Sequence, residues 1–209
     1  MIKGLIKEFF NIKEKKLPNW LSSTTKNNNA ILKSYLWDSE VCHRIRLCEL
    51  EIENKFYAES LVIYPNFCYE TPIFGTEYLR IGKKKYFGAI DFHPITENQN
   101  FMKFLDIFPN RKIDKTIFYD FDLFFSKKLW LSKRSKDFYN EYQIMMKCFM
   151  HQYKKCLLES KNNSSSFEFE QSQYNRYMAL NDPAFGVLKS YFDKDFAENY
   201  IHNFLFSNK

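Results

Sequence analysis

Residues 60–94, SLVIYPNFCYETPIFGTEYLRIGKKKYFGAIDFHP, constrain the fold of this chain more than any other stretch. Short apolar runs alternate here with turn residues, including a proline after the first run and a glycine followed by three lysines before the last. Strands are predicted over residues 60–64, 78–81 and 86–92, because β-branched and aromatic residues favour strands and glycine-containing turns join hairpins. The pattern therefore predicts an antiparallel meander.

Two carboxylates fall inside this predicted sheet. Side chains alternate between the faces of a strand, so Asp91 is predicted to share the face of Phe87 and Ala89. Glu77 stands at the start of the middle strand, next to apolar residues such as Phe74. Carboxyl groups in apolar surroundings are typical of proton chemistry, since desolvation favours the protonated acid. The alternative is that both are solvated or salt-bridged residues at strand ends, which is the more frequent situation.

The length fits one large domain or two small ones, and 45% hydrophobic residues are enough for one sizeable core, so a single domain over residues 1–209 is expected. The 23 Phe and 14 Tyr residues far exceed ordinary usage and indicate either an aromatic core or a surface that meets a large flat ligand. Core packing accounts for most of them on this interpretation. The net charge of +6 favours an acidic partner, and it does not require nucleic acid.

Several classes of site have no motif in the sequence. The cysteines are odd in number and form no CxxC pair, so neither a zinc ribbon nor a four-cysteine iron–sulfur site is spelled out; a reducing compartment is expected. The histidines lack HExxH spacing and the glycines lack GxGxxG spacing, which disfavours metal, nicotinamide and nucleotide sites. An apolar run long enough for a membrane span and a signal peptide are both missing, so a soluble protein is expected.

The remaining segments are predicted to place helices on either side of the strands. Ahead of the meander, the pattern predicts an amphipathic helix at 2–12, a loop at 16–29, an apolar turn at 31–37, and strands at 41–50 and 56–64, where the sheet is expected to start. After it, the pattern predicts a short helix at 98–108, a strand-like or irregular segment at 116–131, the longest helix at 137–159, a polar loop at 161–166, and helices at 167–178, 183–191 and 196–206. This order favours a mostly antiparallel sheet between helical layers.

Separate blocks of the sequence resemble the ferredoxin-dependent bilin reductases. The blocks are SYLWD at 34–38, YPNFCYETPIFGTEYLRIG at 64–82, AIDFHP at 89–94, and NDPAFG with YIHNFLF near the C-terminus. Within the family, SYLWD and the tyrosines after residue 64 are most similar to members that reduce biliverdin IXα to 15,16-dihydrobiliverdin. The resemblance implies an α/β/α sandwich that holds a bilin between the sheet and the C-terminal helices. It also implies that no metal or organic cofactor is bound, that reduced ferredoxin supplies single electrons, and that side chains supply protons.

The resemblance places the two family carboxyl groups at Glu77 and Asp182. Without it, Asp182 is best interpreted as a helix N-cap before Pro183. Two positions depart from the family pattern, because Glu77 replaces an aspartate and Ser60 replaces an asparagine or histidine. One extra methylene in a catalytic acid displaces it by about 1 Å, which can change the rate on the order of a hundredfold.

Other residues are candidates for holding the substrate. Propionate groups require cations or hydroxyl groups at a pocket mouth, whereas each such residue could equally be an ordinary solvated side chain. The candidate substrate contacts are Ser60, Phe74 and Asp91, and the candidate propionate partners are Ser126, Lys127, Lys133, Arg134 and Arg176.

The sequence leaves alternatives open for function and place. A reductase acting on another double bond and a bilin carrier that no longer reduces both remain compatible with the departures at Ser60 and Glu77. A nucleic-acid binder is disfavoured, because the charges are dispersed and form no Lys/Arg stripe. The chain shows no transit-like extension, so a plastid that encodes it or a cyanobacterial cytoplasm is expected, with ferredoxin and the next bilin reductase of phycoerythrobilin synthesis as protein partners.

Overall fold

The computed structural model of the chain describes residues 2–95, 103, 106–108, 125–160 and 166–207. Within these ranges, eight strands form one sheet with helices before and after it. The strands are β1 Lys13–Glu14, β2 Thr24–Asn27, β3 Ala30–Asp38, β4 Cys42–Ile52, β5 Phe56–Pro65, β6 Ile73–Ile81, β7 Lys85–His93 and β8 Trp130–Arg134. The helices are α1 Ile2–Phe9, α2 Tyr139–Glu159, α3 Glu168–Asn181, α4 Ala184–Tyr191 and α5 Lys194–Tyr200, and a π-helical turn, Ile201–Leu205, follows α5.

The sheet is an antiparallel meander along most of its width. Its strand order is β1-β3-β4-β5-β6-β7-β8, with β2 also paired to β3, and each of these pairs is antiparallel. Short turns join the central strands, as antiparallel neighbours allow. Gly82 occupies the turn between β6 and β7 with φ 61°, a left-handed conformation that glycine adopts without steric cost.

Two apolar clusters cover the two faces of the sheet. On one face, α1 and α2 pack against alternate strand residues such as Leu61, Phe74 and Phe92. On the other face, the helices from α3 onward pack against residues of the opposite parity, including Leu32, Val62 and others. The protein is therefore a three-layer α/β/α sandwich with an antiparallel sheet, which confirms the expected fold class.

The meander, the N-terminal helix and the long helix α2 agree with the sequence patterns, although β6 begins at Ile73 and not at residue 78. Two expectations were wrong. The segment at 31–37 belongs to strand β3 and is not an apolar turn, and the loop expected at 16–29 contains β2. The sheet accordingly begins before residue 41. Alternate residues of β3 are buried, which is the periodicity of a strand with one face in the core.

Three expected segments fall wholly or mainly outside the described residues. These are the helix at 98–108, the segment at 116–131 except for its last residues, and the loop at 161–166 except for Ser166. None of the helices in the described ranges combines the length and the apolar character that crossing a membrane requires.

Specific polar contacts fix the C-terminal layer on the sheet. Arg44 of β4 donates from Nη1 to the carbonyl of Ser207 at 2.5 Å and from Nη2 to the carbonyl of Phe204. These carbonyls lie at the end of the π-helical turn, where helical carbonyl groups lack internal donors. Ser34 and Tyr200 share a buried hydrogen bond of 2.8 Å from β3 to α5. The layer is thereby held over β3 and β4, and the space beside it is the candidate site.

Candidate active site

The floor of the site is built by the register of the central strands. Cys48, Ser60 and Glu77 are cross-strand partners in turn, so they form one row of side chains across β4, β5 and β6. The neighbouring row on the same face, displaced by two residues along the strands, contains Arg46 and Asp91. The antiparallel pairing thus gathers charged groups that are distant in sequence onto one patch.

The roof of the site comes from the C-terminal layer. Tyr174, Met178 and Asp182 descend from α3 and its end, and Phe206 follows the π-helical turn. Floor and roof enclose a cavity of about 100 Å³. Sites for drug-sized ligands measure roughly 300–1,000 Å³, so a tetrapyrrole enters only if the lining side chains move apart.

Glu77 is the carboxyl group on the floor of this cavity. Burial raises its pKa, the nearby Asp182 carboxylate raises it further, and the cation of Arg46 partly opposes both, which brings the pKa to about 7. A carboxyl group with this pKa is about half protonated at neutral pH. It can therefore donate a proton under conditions in which an ordinary glutamate is fully ionised.

Asp182 faces the same cavity from the roof. It ends α3 in an extended conformation, φ −68° and ψ 120°, and its Oδ1 accepts a 2.7 Å hydrogen bond from the backbone N–H of Ala184. Burial raises the pKa of Asp182, whereas the Ala184 hydrogen bond and Arg46 lower it. Asp182 thus caps the start of α4, as the sequence alone suggests, and it also presents a carboxyl group to the cavity.

Asp91, 2% exposed, is held by its neighbours. It accepts hydrogen bonds from the backbone N–H of Ser126 at 2.9 Å and from its hydroxyl at 2.5 Å, and the Nδ1 of His93 lies 3.7 Å from its Oδ2. The imidazole of His93 fills the space above Gly75, where a Cβ would come within 2.3 Å of Nε2. Asp91 therefore lines the cavity as an orienting group, and the hydroxyl of Ser126 is committed to it.

The structure brings Ser60, Glu77, Asp91 and Asp182 together at the cavity. Phe74 does not join them, because strand parity turns it to the opposite face, where it packs on Phe92 and Tyr153. This placement corrects its assignment as a substrate contact.

The expected propionate partners are separated from one another. Arg134 lies on the α2 side of the sheet, where it pairs with Glu141 at 2.5 Å and stacks on Phe138, which corrects its assignment to the pocket mouth. Lys127 is exposed next to Ser126 and is not among the residues that line the cavity. Lys133 is exposed opposite Phe87, which does line it.

Arg176 lies in a second concavity, which measures about 490 Å³. It opens beside α3, and His202 contributes to its lining. This space is larger than the inner cavity, yet neither Glu77 nor Asp182 lines it, so we assign the chemistry to the inner cavity. Phe206 lines both spaces and forms the wall between them.

Several residues of the site carry no signal that was recognised in the sequence. Arg46, His93 and Tyr174 line the cavity, together with Phe125, Leu129, Leu131, Met178 and Phe206. A signal for Arg46 was present, since β4 carries two arginines on a face that is otherwise apolar. The described residues contain no group of three or more His, Cys, Asp or Glu side chains arranged to hold a metal ion.

Comparison with known proteins identifies one family. The sequence model of the ferredoxin-dependent bilin reductases matches residues 1–207. The 15,16-dihydrobiliverdin:ferredoxin oxidoreductase of Nostoc punctiforme is 24% identical over 95% of this chain and 89% of its own length. An enzyme of the same name from Prochlorococcus marinus is 28% identical over 85% of this chain and 80% of its own length.

A solved structure agrees with this match at the level of the fold. Phytochromobilin synthase from tomato, crystallised in complex with biliverdin, superposes with a TM-score of 0.78 at 15% identity. The superposition covers 99% of this chain and 82% of the tomato chain.

Proposed function

Because the chain belongs to the ferredoxin-dependent bilin reductase family and is therefore an oxidoreductase that takes electrons from ferredoxin, we propose that it reduces biliverdin IXα to 15,16-dihydrobiliverdin. The relatives from Nostoc punctiforme and Prochlorococcus marinus, which carry the name of this reaction, support the choice of product. In this proposal the product enters phycoerythrobilin synthesis and passes to the next bilin reductase.

One observation carries the proposal. Two carboxyl groups, Glu77 from the sheet and Asp182 from the helical layer, line one cavity, and burial raises the pKa of both. A flat tetrapyrrole between floor and roof would have an acid on each side. A carboxyl group on each face is placed to deliver the two protons that a double-bond reduction consumes.

The proposed reaction consumes two electrons and two protons. Reduced ferredoxin transfers one electron to the bound biliverdin, which becomes a radical anion and is more basic than its parent. One carboxylic acid then donates a proton to it, and a second electron and a second proton complete the step. The bond between C15 and C16 changes from double to single, each carbon gains one hydrogen, and two oxidised ferredoxins are released.

The roles of the remaining residues follow from their positions. Ser60 lies directly across from Glu77 and can donate its hydroxyl to the bilin or to the Glu77 carboxylate. Asp91 and Ser126 keep His93 in place along the cavity wall. Arg176 in the outer concavity would meet a propionate group once Phe206 moves aside.

The net charge of +6 suits docking of an acidic ferredoxin, since complementary charge accelerates the encounter of two proteins.

We place the protein in a plastid stroma or a cyanobacterial cytoplasm, because the curated relatives named above come from cyanobacteria. Fractionation of the source cells followed by immunodetection tests this placement, and recovery outside the bilin-synthesising compartment would contradict it.

The function is tested by anaerobic incubation with biliverdin IXα and reduced ferredoxin. Absorbance spectra and chromatography against an authentic standard should identify 15,16-dihydrobiliverdin as the product. A different dihydrobiliverdin would identify a reductase of another double bond. Binding without any reduction would identify a bilin carrier, and either result would overturn the proposal.

A further inference from the structure

Arg46 is a buried cation that lowers the pKa of both cavity acids and has no further role in the acid–base chemistry. It lies at the centre of β4, 2% exposed, and lines the cavity that holds Glu77 and Asp182. Its Nη1 contacts the Sγ of Cys48 at 3.9 Å and the side chain of Tyr64 interacts with it, but its Nε is buried without a hydrogen-bond partner in the described part of the chain. A buried N–H group without an acceptor costs about 1–3 kcal/mol, and more when the group is charged.

The guanidinium interacts with the carboxyl groups of Asp182 and Glu77 at longer range, but it forms no direct ion pair with any residue that the structure describes. No carboxylate oxygen among the described residues lies within 4.0 Å of it. Arg44, two residues earlier on the same face, is by contrast fully engaged with the carbonyls of Phe204 and Ser207. Arg44 is therefore explained by its contacts with the C-terminal layer, whereas Arg46 is a buried charge without a direct ion pair, which is costly for a protein.

The surroundings of Arg46 indicate which kind of ligand its guanidinium group can bind. Its guanidinium carbon lies 5.0 Å from the centre of the Phe206 ring, which is the wall between the cavity and the outer concavity. A planar conjugated ligand that displaces this ring takes its place against the guanidinium. Such a ligand offers both a π face and carbonyl oxygens, which are the partners that a planar cation prefers.

We propose that Arg46 stabilises the negative charge that the bound bilin acquires with each electron, and so raises the potential at which ferredoxin can reduce it. This inference rests on the proposed function. The conjugated system of the oxidised bilin brings no negative charge to Arg46, whereas the radical anion formed by one electron does. A fixed cation in a site of low dielectric is favourable for the charge that develops during the reaction and needs no reorganisation.

The inference predicts a difference between two equilibria. Loss of Arg46 should weaken the one-electron reduction of bound biliverdin more than it weakens the binding of oxidised biliverdin. The substitutions are Arg46→Met, which keeps the length and removes the charge, and Arg46→Lys, which keeps the charge without the planar group. Arg134→Met is the matched control, because it removes the same charge from the other face of the sheet.

The measurements are an anaerobic spectroelectrochemical titration of bound biliverdin and its Kd by absorbance. For Arg46→Met we expect the one-electron equilibrium constant to fall at least tenfold, which corresponds to a reduction potential at least 59 mV more negative. The change in Kd should be smaller. The reduction potential in Arg46→Lys should lie between those in Arg46→Met and the parent, and the potential in Arg134→Met should equal that of the parent. Arg46→Gln serves as a second uncharged variant if Arg46→Met does not fold.

Three results would overturn the inference. The first is an unchanged potential in Arg46→Met or Arg46→Gln. The second is a potential that falls as far in Arg134→Met as in Arg46→Met, because the effect would then come from net charge and not from the cavity. The third is an effect seen with biliverdin but absent with its dimethyl ester, which would show that Arg46 pairs with a propionate. Product identity in the parent protein tests the proposed function separately, and failure of the parent to bind biliverdin would overturn both.

Discussion

The titration of Glu77 should govern how both the free energy of unfolding and the turnover depend on pH, and replacing Glu77 by glutamine should remove both dependences. The Glu77 carboxyl has a pKa of about 7 in the folded protein and an ordinary value of 4.5. Between these values the folded state binds more protons than the unfolded state, so the free energy of unfolding falls as the pH rises from 4.5 to 7 and is then constant. At about 1.4 kcal/mol per pH unit, the loss reaches up to ~3 kcal/mol above pH 7.

Glutamine carries no charge at any of these pH values, so Glu77→Gln should escape this loss. Urea unfolding at pH 4.5 and pH 8 should give the variant the smaller difference between the two, by up to ~3 kcal/mol. Turnover of the parent should fall as the pH rises through 7, when Glu77 loses the proton that it donates. In the variant we expect biliverdin binding to persist while reduction stalls at a radical.

Glu59→Gln is the control for this experiment. Glu59 is also buried with a raised pKa, but it lies on the other face of the sheet and accepts a 2.6 Å hydrogen bond from Tyr139. Its substitution should change stability and leave turnover per folded molecule and its pH profile unchanged. Parent-level reduction by Glu77→Gln, or an equal loss of turnover in Glu59→Gln, would refute the reasoning.

Asp182→Asn should bind biliverdin and fail to complete its reduction, and parent-level turnover would exclude Asp182 as a donor. Its free energy of unfolding should fall by less than the ~1 kcal/mol of a lost cap, since the amide oxygen can still accept from the N–H of Ala184. Asp91→Asn should lower the free energy of unfolding by about 1–3 kcal/mol, because the two Ser126 hydrogen bonds go to different oxygens and the amide N–H₂ that replaces one of them cannot accept. An unchanged denaturation midpoint would contradict this. With ferredoxin limiting, kcat/KM should fall as salt is raised from low ionic strength, because the net charge of +6 is screened, and a salt-independent value would exclude electrostatic docking.

Much of the central sheet could be predicted because its signals are local. Turn residues and alternating apolar positions are close in sequence, so the strands at the centre of the meander were found. The segment at 31–37 was mistaken for a turn because its partners, β2 on one side and β4 on the other, are separate segments of the chain. Pairing on both sides, which no local pattern records, makes β3 a strand.

The cavity shows the same limit more strongly. Glu77 could be singled out within one strand, but its pKa depends on Asp182, more than a hundred residues away, and on Arg46, two strands away. Phe74 was misassigned because proximity in sequence was taken as proximity in space, whereas adjacent strand residues point to opposite faces. Strand parity alone could have excluded Phe74 and drawn attention to Arg46.

The pair formed by Gly75 and His93 limits the order in which this site can change during evolution. Any side chain at residue 75 begins with a Cβ atom 2.3 Å from the Nε2 of His93, so it is excluded while the imidazole keeps its place. A smaller residue at 93, by contrast, can be accepted while residue 75 is still glycine. Lineages that carry alanine or a larger residue at 75 should therefore have either lost the histidine or turned its ring away from residue 75.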